Sequence, residues 1–196
     1  MNFSVVKTFL PFFFICQLSF IQSSSVPEYS FNYASKNNID LSPKEVTIRF
    51  LKWYKMNLEK VNKFPILIKD STDNYMVNTK ACGNYLKILN SSKCLSPRYI
   101  AYWRSYLEDR ATDLQNNPVK SDIPEGFDLD FVLITQEPEL ILDHISEARF
   151  TTYSQDKNLA RIGISWPKKA DMDYTIELSK NKSGWQIDFI SAPNFD

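Results

Sequence analysis

Asp128 and Asp130 stand two residues apart in the run Phe127-Asp128-Leu129-Asp130-Phe131-Val132-Leu133, where large apolar residues alternate with polar or smaller ones. On a strand, residues two apart point to the same side. Two carboxylates on one side can bind a cation or share a proton as an acid and base. Glu137 follows closely and completes a candidate set of three. The plainer reading of the same residues is a solvated turn. An EF-hand is excluded, since its obligatory Gly and terminal Glu are missing from the spacing. His144 is the only histidine, so a general base or metal ligand would have to recruit it. Asp143 is its neighbour, but adjacent side chains diverge in helices and strands alike and do not make a dyad. An ordinary structural histidine is the alternative.

Other chemistries lack their residues. No Gly-x-Ser-x-Gly elbow is present, which removes that class of hydrolase. The chain has four glycines, none clustered, so the loops that cradle phosphates and dinucleotides are missing. Aromatic residues make up 14% of the chain. Trp53, Tyr54, Tyr99, Trp103 and Tyr106 fall on stretches of helical spacing, where core packing accounts for them. In a fold with an open cavity, Trp53, Tyr54 and Trp103 would instead present ring faces to a ligand.

The N-terminus reads as an address. Lys7 precedes an apolar run from Phe9 to Ile21, interrupted by Pro11, Gln17 and Ser19, and Ser23-Ser24-Ser25 precedes Val26-Pro27. This is the layout of a secretory signal peptide over residues 1–25, with small residues at Ser23 and Ser25 for the peptidase. The run is shorter than the roughly 20 apolar residues of a membrane span, so no span is expected after cleavage; an uncleaved anchor is the alternative. Lipidation at Cys16 is disfavoured by Ile15, which stands where a small residue is needed. The expected destination is the periplasm. Cys16 leaves with the leader, and Cys82 and Cys94 remain where disulfides persist. A bridge between them would contribute roughly 2–4 kcal/mol; two free buried thiols are the other possibility. Two cysteines and one histidine cannot complete a tetrahedral zinc site. Neither a metal nor a cofactor is expected.

Lys and Arg total 23 and so do Asp and Glu, a balance that gives no reason to expect nucleic acid as a partner. The stretch from Asp122 to Glu147, however, carries eight carboxylates and no Lys or Arg. It is either a solvated face or a surface for a basic protein partner.

These residues must be positioned by a single domain, since 196 residues suffice for one core. Residues 26–41 are polar and aperiodic and read as an exposed lead-in, which leaves 42–196 for the domain. Ser42-Pro43-Lys44-Glu45 is a capping box with Pro at the first helical position. Val46, Phe50, Trp53, Tyr54, Leu58 and Val61 follow at helical spacing until Pro65. A second helix is expected over about 79–89. Ser96-Pro97 caps a third, which ends near Asn116-Asn117-Pro118. After Gly126 the period shifts toward two. Strands are expected over 147–153, 159–166, 174–178 and 185–190, with Gly163 marking a bulge or a close backbone approach. Helices first and a meander last make an α+β domain, with N-terminal helices packed on an antiparallel sheet.

The run Val46-Thr47-Ile48-Arg49-Phe50-Leu51-Lys52-Trp53-Tyr54, the Leu95-Ser96-Pro97 start of an aromatic helix, Asp128-Leu129-Asp130 with Thr135-Gln136-Glu137, and closing hairpins ending in Trp185-Gln186-Ile187 together resemble a family of exported bacterial proteins of unknown function. That family is similar in fold to nuclear transport factor 2 and the cystatin-like proteins. The resemblance implies a cone: a curved antiparallel sheet wrapped around the first helix, with a cavity at its open end. Such cavities host enzymes in some relatives and none in others. The expected function is a binding or interaction protein of the periplasm, in one form an immunity protein whose acidic stretch plugs the basic cleft of a secreted toxin. The alternatives are a small enzyme using carboxylates in the cavity and an envelope structural protein. Mass spectrometry of the native protein is expected to give an N-terminus within a few residues of Val26; an intact Met1 end contradicts export with cleavage.

Overall fold

The computed structural model describes residues 41–167 and 169–192. The expected leader over 1–25, and all of the lead-in except Leu41, lie outside the described residues. Helix α1 spans Pro43–Asn62 and begins as its sequence requires. The Ser42 hydroxyl accepts the Glu45 amide at 3.2 Å, while the Glu45 carboxylate accepts the Ser42 amide at 2.8 Å. Val46, Phe50, Tyr54, Leu58 and Val61 then fall on one buried stripe. Phe50 stacks on Tyr54 at 5.9 Å and on Trp53 at 6.2 Å.

Beyond Pro65 lies a small hairpin that periodicity did not foretell, formed by β1 (Leu67–Lys69) and β2 (Tyr75–Val77). Its strands are only three residues each, too short for an alternation to register. Asp70 organises the turn by accepting the amides of Thr72 and Asn74 at 2.8 and 3.0 Å. Helix α2 (Thr79–Ser91) is capped by the Asn78 side chain and α3 (Pro97–Asn116) by Ser96.

The segment between α2 and α3 does more than connect them. The Cys94 carbonyl accepts the Ile187 amide at 2.8 Å, and the Ser96 amide donates to the Ile187 carbonyl at 2.9 Å. Leu95 thereby makes a parallel bridge to the last strand and protects that edge of the sheet. It also corrects the expected disulfide, because Cys82 and Cys94 are both free and buried. Cys82 sits on the first turn of α2, and a rise of about 1.5 Å per residue carries Ser91 about 13 Å along the axis. A bridge tolerates Cα separations up to about 7 Å, and the pairing with Ile187 holds Cys94 at the far end. Burial raises both thiols, that of Cys94 to about 11.

A short helix α4 (Pro138–Asp143) and a 3-10 turn (Ile145–Glu147) lead into four strands. These are β3 (Arg149–Gln155), β4 (Leu159–Trp166), β5 (Lys169–Asn181) and β6 (Gly184–Ser191), paired antiparallel in that order as an open sheet. All four expected strands are present, and the class is α+β. Ile162, Ile164, Ile176, Leu178, Ile187 and Ile190 join the α1 stripe in one core. Gly163 serves a close approach: a Cβ there would come within 2.2 Å of the Tyr153 ring. Tyr153 is itself the extra residue of a bulge on β3. Iodoacetamide is expected to leave both thiols of the chain starting at Val26 unmodified while it is folded and to modify both after unfolding without reductant; failure to label after unfolding would mean a bridge had formed.

Candidate functional site

Asp130 does not lie on a strand. The period-two pattern of 127–133 folds instead into successive turns with one isolated bridge between Asp130 and Thr135. The cause is the Asp130 side chain, whose Oδ1 accepts the amides of Val132 at 3.0 Å and Leu133 at 2.7 Å. Such local bonds offer the backbone an alternative to a ladder. The Ile134 amide donates to the Asp130 carbonyl at 2.7 Å, and Ile134 is held at φ +50, a region costly for a β-branched residue.

Two tertiary bonds pin this turn. The Tyr54 hydroxyl, from α1, donates to Asp130 Oδ2. The Tyr174 hydroxyl, from β5, donates to the Leu133 carbonyl at 2.6 Å. Phe131 is thereby turned into an aromatic cluster, with ring centroids 5.4 Å from Trp103, 5.9 Å from Tyr85 and 6.2 Å from Tyr106.

The pinned turn is a wall between two hollows. On one side is a cavity of about 270 Å³ bounded by Tyr102, Trp103 and Tyr106 of α3, by Gly126, Leu129 and Ile134, and by Phe189, Ile190 and Ser191 of β6. Across the wall, a second hollow of about 200 Å³ is lined by the end of α1, the approach to β1 and Tyr85. Leu129, Asp130 and Phe131 face both. Gly126 is required at the mouth of the first: its φ is +82, and the Tyr106 hydroxyl would stand 2.1 Å from a Cβ.

The electrostatics follow from burial. Removal from water pushes the Asp130 carboxyl up, against the opposing pull of the Tyr54 hydroxyl and the two amides. Burial likewise raises the hydroxyls of Tyr54 and Tyr85 well above the ordinary tyrosine range, with the Asp130 charge adding to it. Among the described residues the buried Tyr99 hydroxyl has no hydrogen-bond partner. Both Asp130 oxygens already accept donors, so this carboxylate is suited to hold the wall in place.

The other expected site residues are not gathered with it. Asp128 is exposed and touches Gln136 at 3.4 Å. Glu137 is exposed at the start of α4. His144 Nδ1 lies 2.7 Å from Glu147, and its backbone carbonyl accepts the Trp166 indole N–H at 2.9 Å. Asp143 pairs with Lys55 at 2.8 Å. Of the three aromatics expected at a cavity, Trp103 lines one, Tyr54 stands behind the wall, and Trp53 packs on Phe50. Among the described residues no cluster of His, Cys, Asp and Glu is arranged to hold a metal ion. Tyr102, Phe131 and Phe189 are not among the site residues expected from the sequence. Tyr102 and Tyr106 are four apart on α3, a spacing that puts both on one side, whereas Phe189 comes from a distant strand.

Comparison of the chain with protein-family models, with curated proteins and with solved structures finds no match in any of the three.

Tyr54→Phe leaves the Asp130 carboxylate one donor short and is expected to cost about 1–3 kcal/mol in denaturant unfolding. The pH dependence has a definite sign. Because the folded carboxyl is raised above its ordinary 3.8, the stability it contributes is full below that value and is lost as pH rises through the folded value. The stability difference between wild type and Asp130→Asn is therefore expected to move against wild type with rising pH across that window; a difference that is flat with pH contradicts the assignment.

Proposed function

We propose that this domain is a binding module, exported to the bacterial periplasm, that takes an apolar ligand or partner side chain into the aromatic cavity between α3 and β6. The observation that carries this reading is the cavity itself. Its walls are mostly rings and aliphatic side chains, it is open to solvent, and the one carboxylate in its lining has both oxygens already engaged. Apolar hollows with few polar groups are the usual form of ligand sites.

Two further features support binding over catalysis. Asp128 and Glu137, which an acid–base mechanism would have needed in the cavity, are solvent-exposed. The carboxylates of the acidic segment other than Asp130 are exposed, Asp122, Glu125, Asp128, Glu137 and Glu139 among them, a charge pattern suited to steering a basic protein partner. An immunity protein that covers a basic toxin cleft is the specific form this takes. The resemblance to exported proteins with a nuclear transport factor 2-like cone is consistent with such a role and supplies the expectation of a periplasmic setting.

The neutral fluorophore N-phenylnaphthylamine tests the cavity. Saturable binding is expected, with quenching of tryptophan emission. Tyr102→Ala, at a side chain already 47% exposed, is expected to weaken it at least tenfold without lowering the melting temperature appreciably. Binding that is absent, or indifferent to Tyr102→Ala, rejects the aromatic cavity as the site.

A further inference from the structure

Five rings line the aromatic cavity: Tyr102, Trp103 and Tyr106 from α3, Phe131 from the pinned turn and Phe189 from β6. Their arrangement is closer to a box than to a stack. Trp103 stands at 80° to Tyr102 and at 81° to Tyr106, with centroids 5.3 Å apart in each case, and Phe189 stands at 89° to Tyr102 at 5.5 Å. Rings packed on one another favour such angles, but these rings also surround an open hollow of about 270 Å³. That volume lies near the lower end of ligand sites, which suits a compact headgroup better than a long chain.

The charge around the box is one-sided. No Lys, Arg or His is among its lining residues, whereas Asp130 is. The donors to the Asp130 carboxylate are two amides and a hydroxyl, all neutral, so its negative charge is left uncancelled. Among the described residues it has no ion-pair partner. Tyr106 reports the charges at the mouth. Burial raises its hydroxyl, Arg110 opposes that rise, and Glu125 and Asp128 add to it. The Arg110 cation is already engaged, since Nη1 pairs with Asp113 at 3.1 Å and Nη2 donates to the Glu125 carbonyl at 3.0 Å. The groups around the hollow therefore favour a positive charge within it.

The donors already on Asp130 restrict the kind of cation. They occupy three of the roughly four acceptor sites of a carboxylate. A primary ammonium brings three N–H groups, and leaving them unpaired away from water is costly. A quaternary ammonium has none. It offers methyl groups to the rings and aliphatic side chains, and its charge is attracted by aromatic faces as well as by carboxylates.

We propose that the aromatic cavity holds a trimethylammonium group, boxed by Tyr102, Trp103, Tyr106, Phe131 and Phe189 beside Asp130. This rests on the cavity being the binding site, as set out above, and names the chemistry of its occupant.

Isothermal titration calorimetry of the chain starting at Val26, at about pH 8 where carboxylates are ionised, compares choline with two analogues. 3,3-Dimethylbutan-1-ol keeps the shape without the charge, and ethanolamine keeps the charge without the methyl groups. Choline is expected to bind, and each analogue to bind at least about tenfold more weakly. Tyr102→Leu, which keeps an apolar side chain but removes a ring, and Asp130→Asn, which removes the charge, are each expected to weaken choline at least about threefold. Tyr102 is 47% exposed, so its variant keeps the test valid if Asp130→Asn unfolds. Where N-phenylnaphthylamine binds but choline at about 10 mM does not, or where either analogue matches choline, the assignment falls while the cavity stands as a site. Indifference of choline to Tyr102→Leu also overturns it, and if neither probe binds, both readings fall. Sedimentation with phosphatidylcholine vesicles separates the sources of the group: retention by vesicles identifies a lipid headgroup, and choline binding without retention a free solute, each bearing the assignment out.

Discussion

One partly buried carboxylate organises the region on which this fold's candidate chemistry depends. Asp130 accepts three donors, two amides from its own turn and the hydroxyl of Tyr54 on α1. An unsatisfied carboxylate at this depth would be costly, so the turn and α1 are bound to one geometry. What would otherwise be a loop becomes a wall, with Leu129 and Phe131 facing a hollow on either side.

The elements around that wall divide the work. Helix α1 supplies the donor and stacks Phe50 against its ring, while α3 supplies Trp103 and Tyr106 to receive Phe131. Strand β5 holds the far side of the turn through Tyr174, and β6 closes the cavity with Phe189 and Ile190. Residues far apart in the chain converge on this wall without a single glycine-rich loop. The same β6 bears a bulge at Asp188, and its outer edge is bridged by Leu95. The sheet is thus modified along the strand that borders the aromatic cavity.

Much of the scaffold was legible from the residues. The capping box at Ser42, the Ser96-Pro97 cap and the alternation of 159–166 each acts through local chemistry, and each appears where it was expected. The misread segment is instructive for the same reason. Phe127 to Leu133 alternates like a strand, but alternation says nothing of a side chain that competes for its own backbone amides, and Asp130 wins that competition. The short strands β1 and β2 carry too few residues to show a period. Cys82 and Cys94 paired plausibly by compartment and count, whereas the length of α2 and the bond from Ile187 to Cys94 keep them apart. Phe189 and Asp188 depend on a register shift that no local pattern announces.

The aromatic cavity is credible as a site only if the wall beside it is held as described. Carbon-13 NMR titration of the Asp130 carboxyl addresses this most directly, since burial and the Tyr54 hydroxyl act on it in opposite directions. A titration midpoint above the ordinary aspartate value, moving higher still in Tyr54→Phe, is the result this account requires. An ordinary midpoint that ignores the loss of the Tyr54 hydroxyl would contradict it.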